Sequence, residues 1–145
     1  MPRVRLSSDV QRLVMERAQG RCEYCQSRAD YATETFAVEH ITPLSRGGTN
    51  DLDNLALACS GCNGRKYNKT EAQDPTDGTL VPLFSPRQQQ WQEHFSWSED
   101  YTHVVGLTPT GRATVEALQL NRPGLVNMRA ALYAISRHPP KLNDE

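Results

Sequence analysis

The run Leu55-Ala56-Leu57-Ala58-Cys59-Ser60-Gly61-Cys62-Asn63-Gly64-Arg65-Lys66 joins three things without a break: a short apolar strand, a tight two-cysteine knuckle and the start of a helix. Upstream, Cys22-Glu23-Tyr24-Cys25 repeats the same internal cysteine spacing, and 33 residues, 26–58, separate the two pairs. Four thiolates at tetrahedral positions close the shell of a zinc ion and leave no coordination position for a substrate, so the matched pairs predict a structural zinc site. Redox-active Cys-x2-Cys motifs are the competing reading, but a lone redox motif has no use for a matched second pair. A plain zinc ribbon separates its pairs by about 15–20 residues. The longer insert here therefore carries something besides the metal.

Within that insert, Phe36 to Ile41 alternates apolar and polar residues before Pro43, which reads as a strand. A polar, glycine-containing loop from Ser45 to Asn54 leads to the Leu55–Ala58 run, and the helix after the second knuckle is expected to reach Lys69. Residues 36–69 thus read as strand, loop, strand, helix. Ahead of the knuckles, Ser8 and Gln11 form a capping-box pattern, and Val10, Leu13, Val14 and Ala18 recur at helical spacing before Gly20. Beyond them, Pro75, Gly78, Pro82 and Pro86 mark 74–86 as a connector, dividing a core over 1–73 from an extension over 74–145.

In the extension, Trp91, Phe95 and Trp97 read as inward-packing helix aromatics, followed by a hairpin through Ser98-Glu99-Asp100 into Thr102 to Gly106. Thr108-Pro109 supplies an N-cap and first-turn proline for a helix to Leu120. Pro123 opens a last helix with Leu125, Met128, Leu132 and Ile135 on one face, and the tail from His138-Pro139-Pro140 to Glu145 reads as frayed.

Composition narrows the function classes. No stretch approaches the ~18 consecutive apolar residues of a membrane span, and Met1-Pro2-Arg3-Val4-Arg5 runs into polar Ser7-Ser8-Asp9 rather than a signal-peptide core. A cytoplasmic location without membrane contact is the expectation, and there thiols hold metal more often than they form disulfides. The net charge of -1 conceals an uneven distribution: residues 1–70 hold ten Lys/Arg against eight Asp/Glu, and the rest of the chain holds six against nine. A polyanion would be met locally, around Arg65, Lys66 and Lys69, and kept off the acidic stretch from Glu71 to Asp100.

The insert also carries Val38-Glu39-His40-Ile41-Thr42-Pro43-Leu44-Ser45-Arg46-Gly47-Gly48 and Asp53-Asn54-Leu55, and the second pair continues as Cys62-Asn63-Gly64-Arg65-Lys66. In this order the motifs resemble the His-Asn-His (HNH) endonuclease family, over residues 22 to about 69. The resemblance implies an α+β fold: a small ββα-metal, treble-clef-like nuclease core stapled by the four-cysteine zinc, with an N-terminal helix and a C-terminal hairpin-plus-helices extension. It implies His40 as general base, Glu39 and Asn63 as ligands of a catalytic divalent ion, and Asn54 as the residue that fixes the loop and orients His40. DNA is the implied substrate, cut to leave a 5′-phosphate and a 3′-hydroxyl, and RNA stays open.

The residue chemistry points the same way. Phosphodiester hydrolysis needs an activated water, a counter-charge on the phosphoryl oxygens and help for the departing alkoxide. Neutral imidazole can take a proton near physiological pH. Glu39 faces away from His40 on an ideal strand, but a twist or bulge at the strand end would let both flank one pocket. A carboxylate and an amide oxygen suit Mg²⁺ or Mn²⁺. The commonest family form has Asp before the histidine and His at the third signature position; Glu39 and Asn63 keep to oxygen chemistry. Lys66, Arg65, Lys69 and Arg46 are the candidate phosphate contacts. Asn63 as a helix cap is the plainer alternative.

The run from Phe84 to Phe95 is similar to the C-terminal extension of small bacterial and phage members of the family. His94 there reads as structural, with a metal or phosphate contact as the alternative. A non-catalytic zinc-stapled module binding nucleic acid or protein is the second functional reading. Monomer and homodimer both stay open, although a symmetric double-strand cutter would need two copies.

Overall fold

The computed structural model describes residues 6–140; the readings made on 1–5 and 141–145 lie outside the described residues. Helix α1 (Ser8–Arg17) is capped by Ser7, whose hydroxyl accepts from the Val10 N–H at 3.2 Å, one residue earlier than the Ser8 pattern suggests. Gln11 instead donates its side-chain amide to the Leu6 carbonyl. Gln19 and Gly20 take left-handed conformations and turn the chain into the first knuckle. Arg17 closes the far end of α1 by donating to the Leu52 and Leu55 carbonyls.

Strands β1 (Ala37–His40) and β2 (Leu55–Ala58) form an antiparallel pair in which Glu39 opposes Ala56 and His40 opposes Leu55. All four β2 residues are buried, as an unalternating apolar run requires. Helix α2 (Ser60–Lys66) packs on both strands. It ends at Lys66, short of Lys69, because Tyr67 has φ 47° and leaves the helical region. Strand, loop, strand and helix thus follow one another, joined to the first knuckle by the hydrogen bond from Glu23 N–H to the Leu57 carbonyl.

The segment read as a connector contains a hairpin, β3 (Glu71–Gln73) with β4 (Leu80–Pro82), closed by a turn in which Asp74 accepts from Gly78 and donates to Thr79. Pro82 is tolerated at the end of a two-stranded ribbon, where no ladder donor is missed. Helix α3 (Trp91–His94) lasts a single turn, and Phe95 already begins β5 (Phe95–Trp97), which pairs with β6 (Val104–Gly106). The aromatics therefore straddle a helix and a strand: the Trp91 ring lies 5.1 Å from Phe95 and 5.2 Å from Trp97, and only Phe95 is fully buried.

Thr108 caps α4 (Pro109–Leu118) through its hydroxyl, and the left-handed Gln119 ends it two residues before Leu120. In α5 (Pro123–Ala134) the inner face is Leu125, Arg129 and Leu132; Met128 and Ile135 turn outward, at 38% and 56% exposure. The displaced stripe follows from Arg129, whose guanidinium donates to the carbonyls of Leu120, Thr102 and Cys25 and lies over the Trp97 ring. His138 is buried edge-on to Trp97 and bonded to the Tyr101 carbonyl, so the tail is held as far as this residue rather than frayed. The result is a mixed α+β fold of short sheets and helices, and no helix among the described residues is long and apolar enough to cross a membrane.

Candidate active site

The two knuckles bring Cys22, Cys25, Cys59 and Cys62 together, all buried, with their sulfurs within 4.8 Å of one another. The Cys25–Cys59 separation is 3.7 Å, and a tetrahedron with Zn–S bonds of about 2.3 Å has edges of about 3.8 Å. The donor set and its spacing fit zinc. Hydrogen bonds from the other three thiols hold the Cys59 thiol far below its ordinary range. Arg122, at the start of α5, donates to the Cys59 sulfur at 3.4 Å and to Cys62 at 3.6 Å. Gly61 admits that guanidinium: a Cβ there would lie 2.4 Å from Arg122 Nη2.

His40 ends β1, half-exposed, with Nε2 at 2.7 Å from Asn50 Oδ1. Asn54 staples the loop between the strands. Its Oδ1 accepts from Thr42 N–H, its Nδ2 donates to the Thr42 and Thr49 carbonyls, and its own carbonyl accepts from Ile41 N–H. Gly48 lets the loop close, since a Cβ there would sit 1.8 Å from the Thr42 oxygen. Among the described residues no hydrogen bond joins Asn54 to the imidazole; Asn50 makes one. Asn50 is absent from the sequence reading, and its only local signal is an amide two residues after the Gly47-Gly48 turn.

The ladder runs through Glu39 and His40 without a bulge, so the two side chains leave opposite faces. Glu39 points inward and is 5% exposed, hydrogen-bonded by the Tyr24 hydroxyl and ion-paired to Lys66 at 3.1 Å. Burial pushes the Glu39 carboxyl above its usual range, while the Lys66 ammonium and the Tyr24 hydroxyl pull it back. Burial and the neighbouring Glu39 raise the Tyr24 hydroxyl well above the ordinary phenol range.

Lys66 is 1% exposed and also donates to the Ile41 carbonyl at 2.8 Å. Its ammonium thus faces the hairpin, where the sequence reading has it facing a phosphate. Asn63 lies inside α2, whose cap is Cys59, and no hydrogen bond among the described residues engages its side chain. The remaining basic candidates are exposed: Arg65 donates to Gly61, Lys69 to Arg65, and Arg46 to the Asn68 carbonyl just beyond α2. His94 bonds the Thr108 hydroxyl at 2.6 Å and tilts against Phe84, a structural setting.

The stretch from the first knuckle to the end of this basic run matches the family model of the HNH endonuclease, over residues 22–69. This third of the chain, with its four-cysteine cluster, is similar to an HNH endonuclease domain of the zinc-stapled kind. The HNH match begins at Cys22 and takes in both cysteine pairs, His40, Asn54 and Asn63. Septu protein PtuB of Bacillus thuringiensis is 26% identical over 111 residues, which is 75% of this chain and 40% of that protein. The chain thus spans less than half the length of this curated relative, with the alignment longer than the HNH match. No solved structure matches the chain.

Proposed function

We propose that the chain is a metal-dependent endonuclease that hydrolyses DNA phosphodiester bonds, with His40 as general base. The observation that carries this reading is the His40 imidazole, half-exposed at the end of β1 and bonded through Nε2 to Asn50, inside a domain of HNH sequence. With Nε2 engaged, Nδ1 is the nitrogen that takes the proton from water. Attack in line on phosphorus then gives a 5′-phosphate and a 3′-hydroxyl.

Glu39 and Asn63 would hold a Mg²⁺ or Mn²⁺ ion, which stabilises charge on the phosphoryl and leaving oxygens when bound. Asn63 offers such an ion an uncommitted amide oxygen, whereas Glu39, turned inward onto Tyr24 and Lys66, would have to exchange the Lys66 ammonium for the metal. Arg65, Lys69 and Arg46 meet the phosphate backbone, so affinity falls with salt. Lys66 works from the inside, pinning the end of β1 through the Ile41 carbonyl. Residues 1–73 form the nuclease core of a cytoplasmic enzyme, and 74–145 an extension seated on the zinc knuckles.

The test is nicking of supercoiled plasmid by wild-type and His40→Ala protein with Mg²⁺, with Mn²⁺ and with EDTA, alongside zinc analysis of both preparations. Metal-dependent cleavage lost in the variant, at about one zinc per chain in each, is the expected result. Competition with RNA of equal length decides the nucleic acid. Zinc-loaded wild type that leaves both polymers intact under every metal would make the domain a binding module.

A further inference from the structure

The resemblance gives the orienting of His40 to Asn54, whose side chain hydrogen-bonds Thr42 and Thr49 and not the ring. We infer that Asn50 is the positioning residue for His40 and the link through which Asn54 acts on it, an inference that rests on the reading of His40 as general base. An amide oxygen only accepts hydrogen bonds, so the 2.7 Å contact between Asn50 Oδ1 and His40 Nε2 requires the ring proton to sit on Nε2. The lone pair is then on Nδ1, facing away from Asn50. One contact thereby fixes both the tautomer and the rotation of the ring.

Asn50 can do this because its neighbours on both sides are held. Thr49 gives its carbonyl to Asn54 Nδ2 at 2.8 Å and its hydroxyl to the Asp51 N–H at 3.2 Å. Asp51 in turn accepts from the Asn54 N–H at 2.8 Å. Asn54 is itself clamped to both the N–H and the carbonyl of Thr42, two residues beyond His40. The loop that leaves the histidine thus returns to it, and the two asparagines close the circuit: Asn54 fixes the loop, and Asn50 passes that rigidity to the imidazole. Without the contact, a half-exposed ring at a strand end rotates freely, and the nitrogen that must meet the water meets it in only a fraction of orientations.

The test compares wild type with Asn50→Ala, Asn50→Asp and His40→Ala, using single-site cleavage kinetics together with ¹⁵N NMR of the His40 ring. Asn50→Ala should lower kcat by about 10- to 100-fold with little change in KM, because the loss is one of orientation rather than of substrate binding. Asn50→Asp, which keeps an acceptor oxygen at the same reach, should recover most of that loss. In the spectra, the neutral ring of wild type should carry its proton on Nε2 with slowed solvent exchange, and Asn50→Ala should lose that protection.

Wild-type kcat in Asn50→Ala, beside an inactive His40→Ala, would overturn the positioning role and leave the base in place. Retained cleavage in His40→Ala would instead overturn the base. The ring spectra decide the contact without reference to activity: identical His40 signals and exchange in wild type and Asn50→Ala would remove it.

Discussion

A lysine near a nuclease motif is read by default as meeting phosphate, and Lys66 shows what that default omits. Its ammonium and the Glu39 carboxylate are both almost wholly buried, 3.1 Å apart, with the Tyr24 hydroxyl on the other carboxylate oxygen. Removing one partner of such a pair leaves an uncompensated charge in a low-dielectric interior. Lys66→Met should therefore cost about 3–5 kcal/mol in urea unfolding of the zinc-loaded protein, and adding Glu39→Gln should return part of it. An unchanged unfolding midpoint would mean that the pair is not buried in solution. The proposed role of His40 rests on a local signal, an acid-His-Ile-x-Pro run, which a sequence carries openly. The Glu39–Lys66 pair was not legible there, since it depends on how α2 lies across β1, and no residue spacing encodes that crossing. Asn50 was invisible for the same reason: a loop asparagine becomes a ligand to a side chain only when the loop closes on Gly48.

Elements with chemical punctuation were legible, and those without it were not. Thr108-Pro109 and Pro123 announced α4 and α5, and the cysteine knuckles located β2 and α2. The β3–β4 hairpin has three residues per strand and a proline in one of them, too little for alternation to register, so the chain between Glu71 and Pro82 looked like a linker. Its turn is held by Asp74, a buried carboxylate bonded by Thr76 and by Nε and Nη2 of Arg112 in α4. The Arg112 bonds, followed by those from Thr76, hold the Asp74 carboxyl well below the usual range. A depressed carboxylate stabilises the folded state above its unfolded pKa of about 3.9 and loses that contribution as pH falls through the folded value. Asp74→Asn should accordingly be less stable than wild type at neutral pH, with the gap constant down to the ordinary carboxylate range and narrowing in stronger acid. Chemical denaturation at a series of pH values checks this. A gap that widens on acidification would contradict the assigned partner.

At the scale of the whole molecule, the extension is joined to the HNH-like stretch at the cysteine cluster. Trp91 donates to the Tyr24 carbonyl within the first knuckle, Arg87 pairs with Glu23, and Arg129 reaches the Cys25 carbonyl. Arg122 goes further and donates to two of the sulfurs themselves, through the gap that Gly61 leaves. A zinc ion bound by four thiolates carries two net negative charges, and in a buried site a guanidinium beside it both offsets that charge and withdraws electron density from the bonded sulfurs. Zinc loading and docking of the extension should therefore support one another. Arg122→Ala should speed the release of zinc to a chromogenic chelator by about 10- to 100-fold, the usual effect of losing a partner of the metal's ligands. Gly61→Ala, which puts a methyl group where Nη2 lies, should approach the same rate with the arginine still present. In the reverse direction, stripping zinc from wild type should abolish amide-exchange protection not only at the knuckles but along α5 and the β5–β6 hairpin, 60 or more residues away in sequence from Cys62 for α5. Protection of α5 that survives zinc removal would show instead that the two halves fold independently, and Arg122 would then be a bystander at the metal.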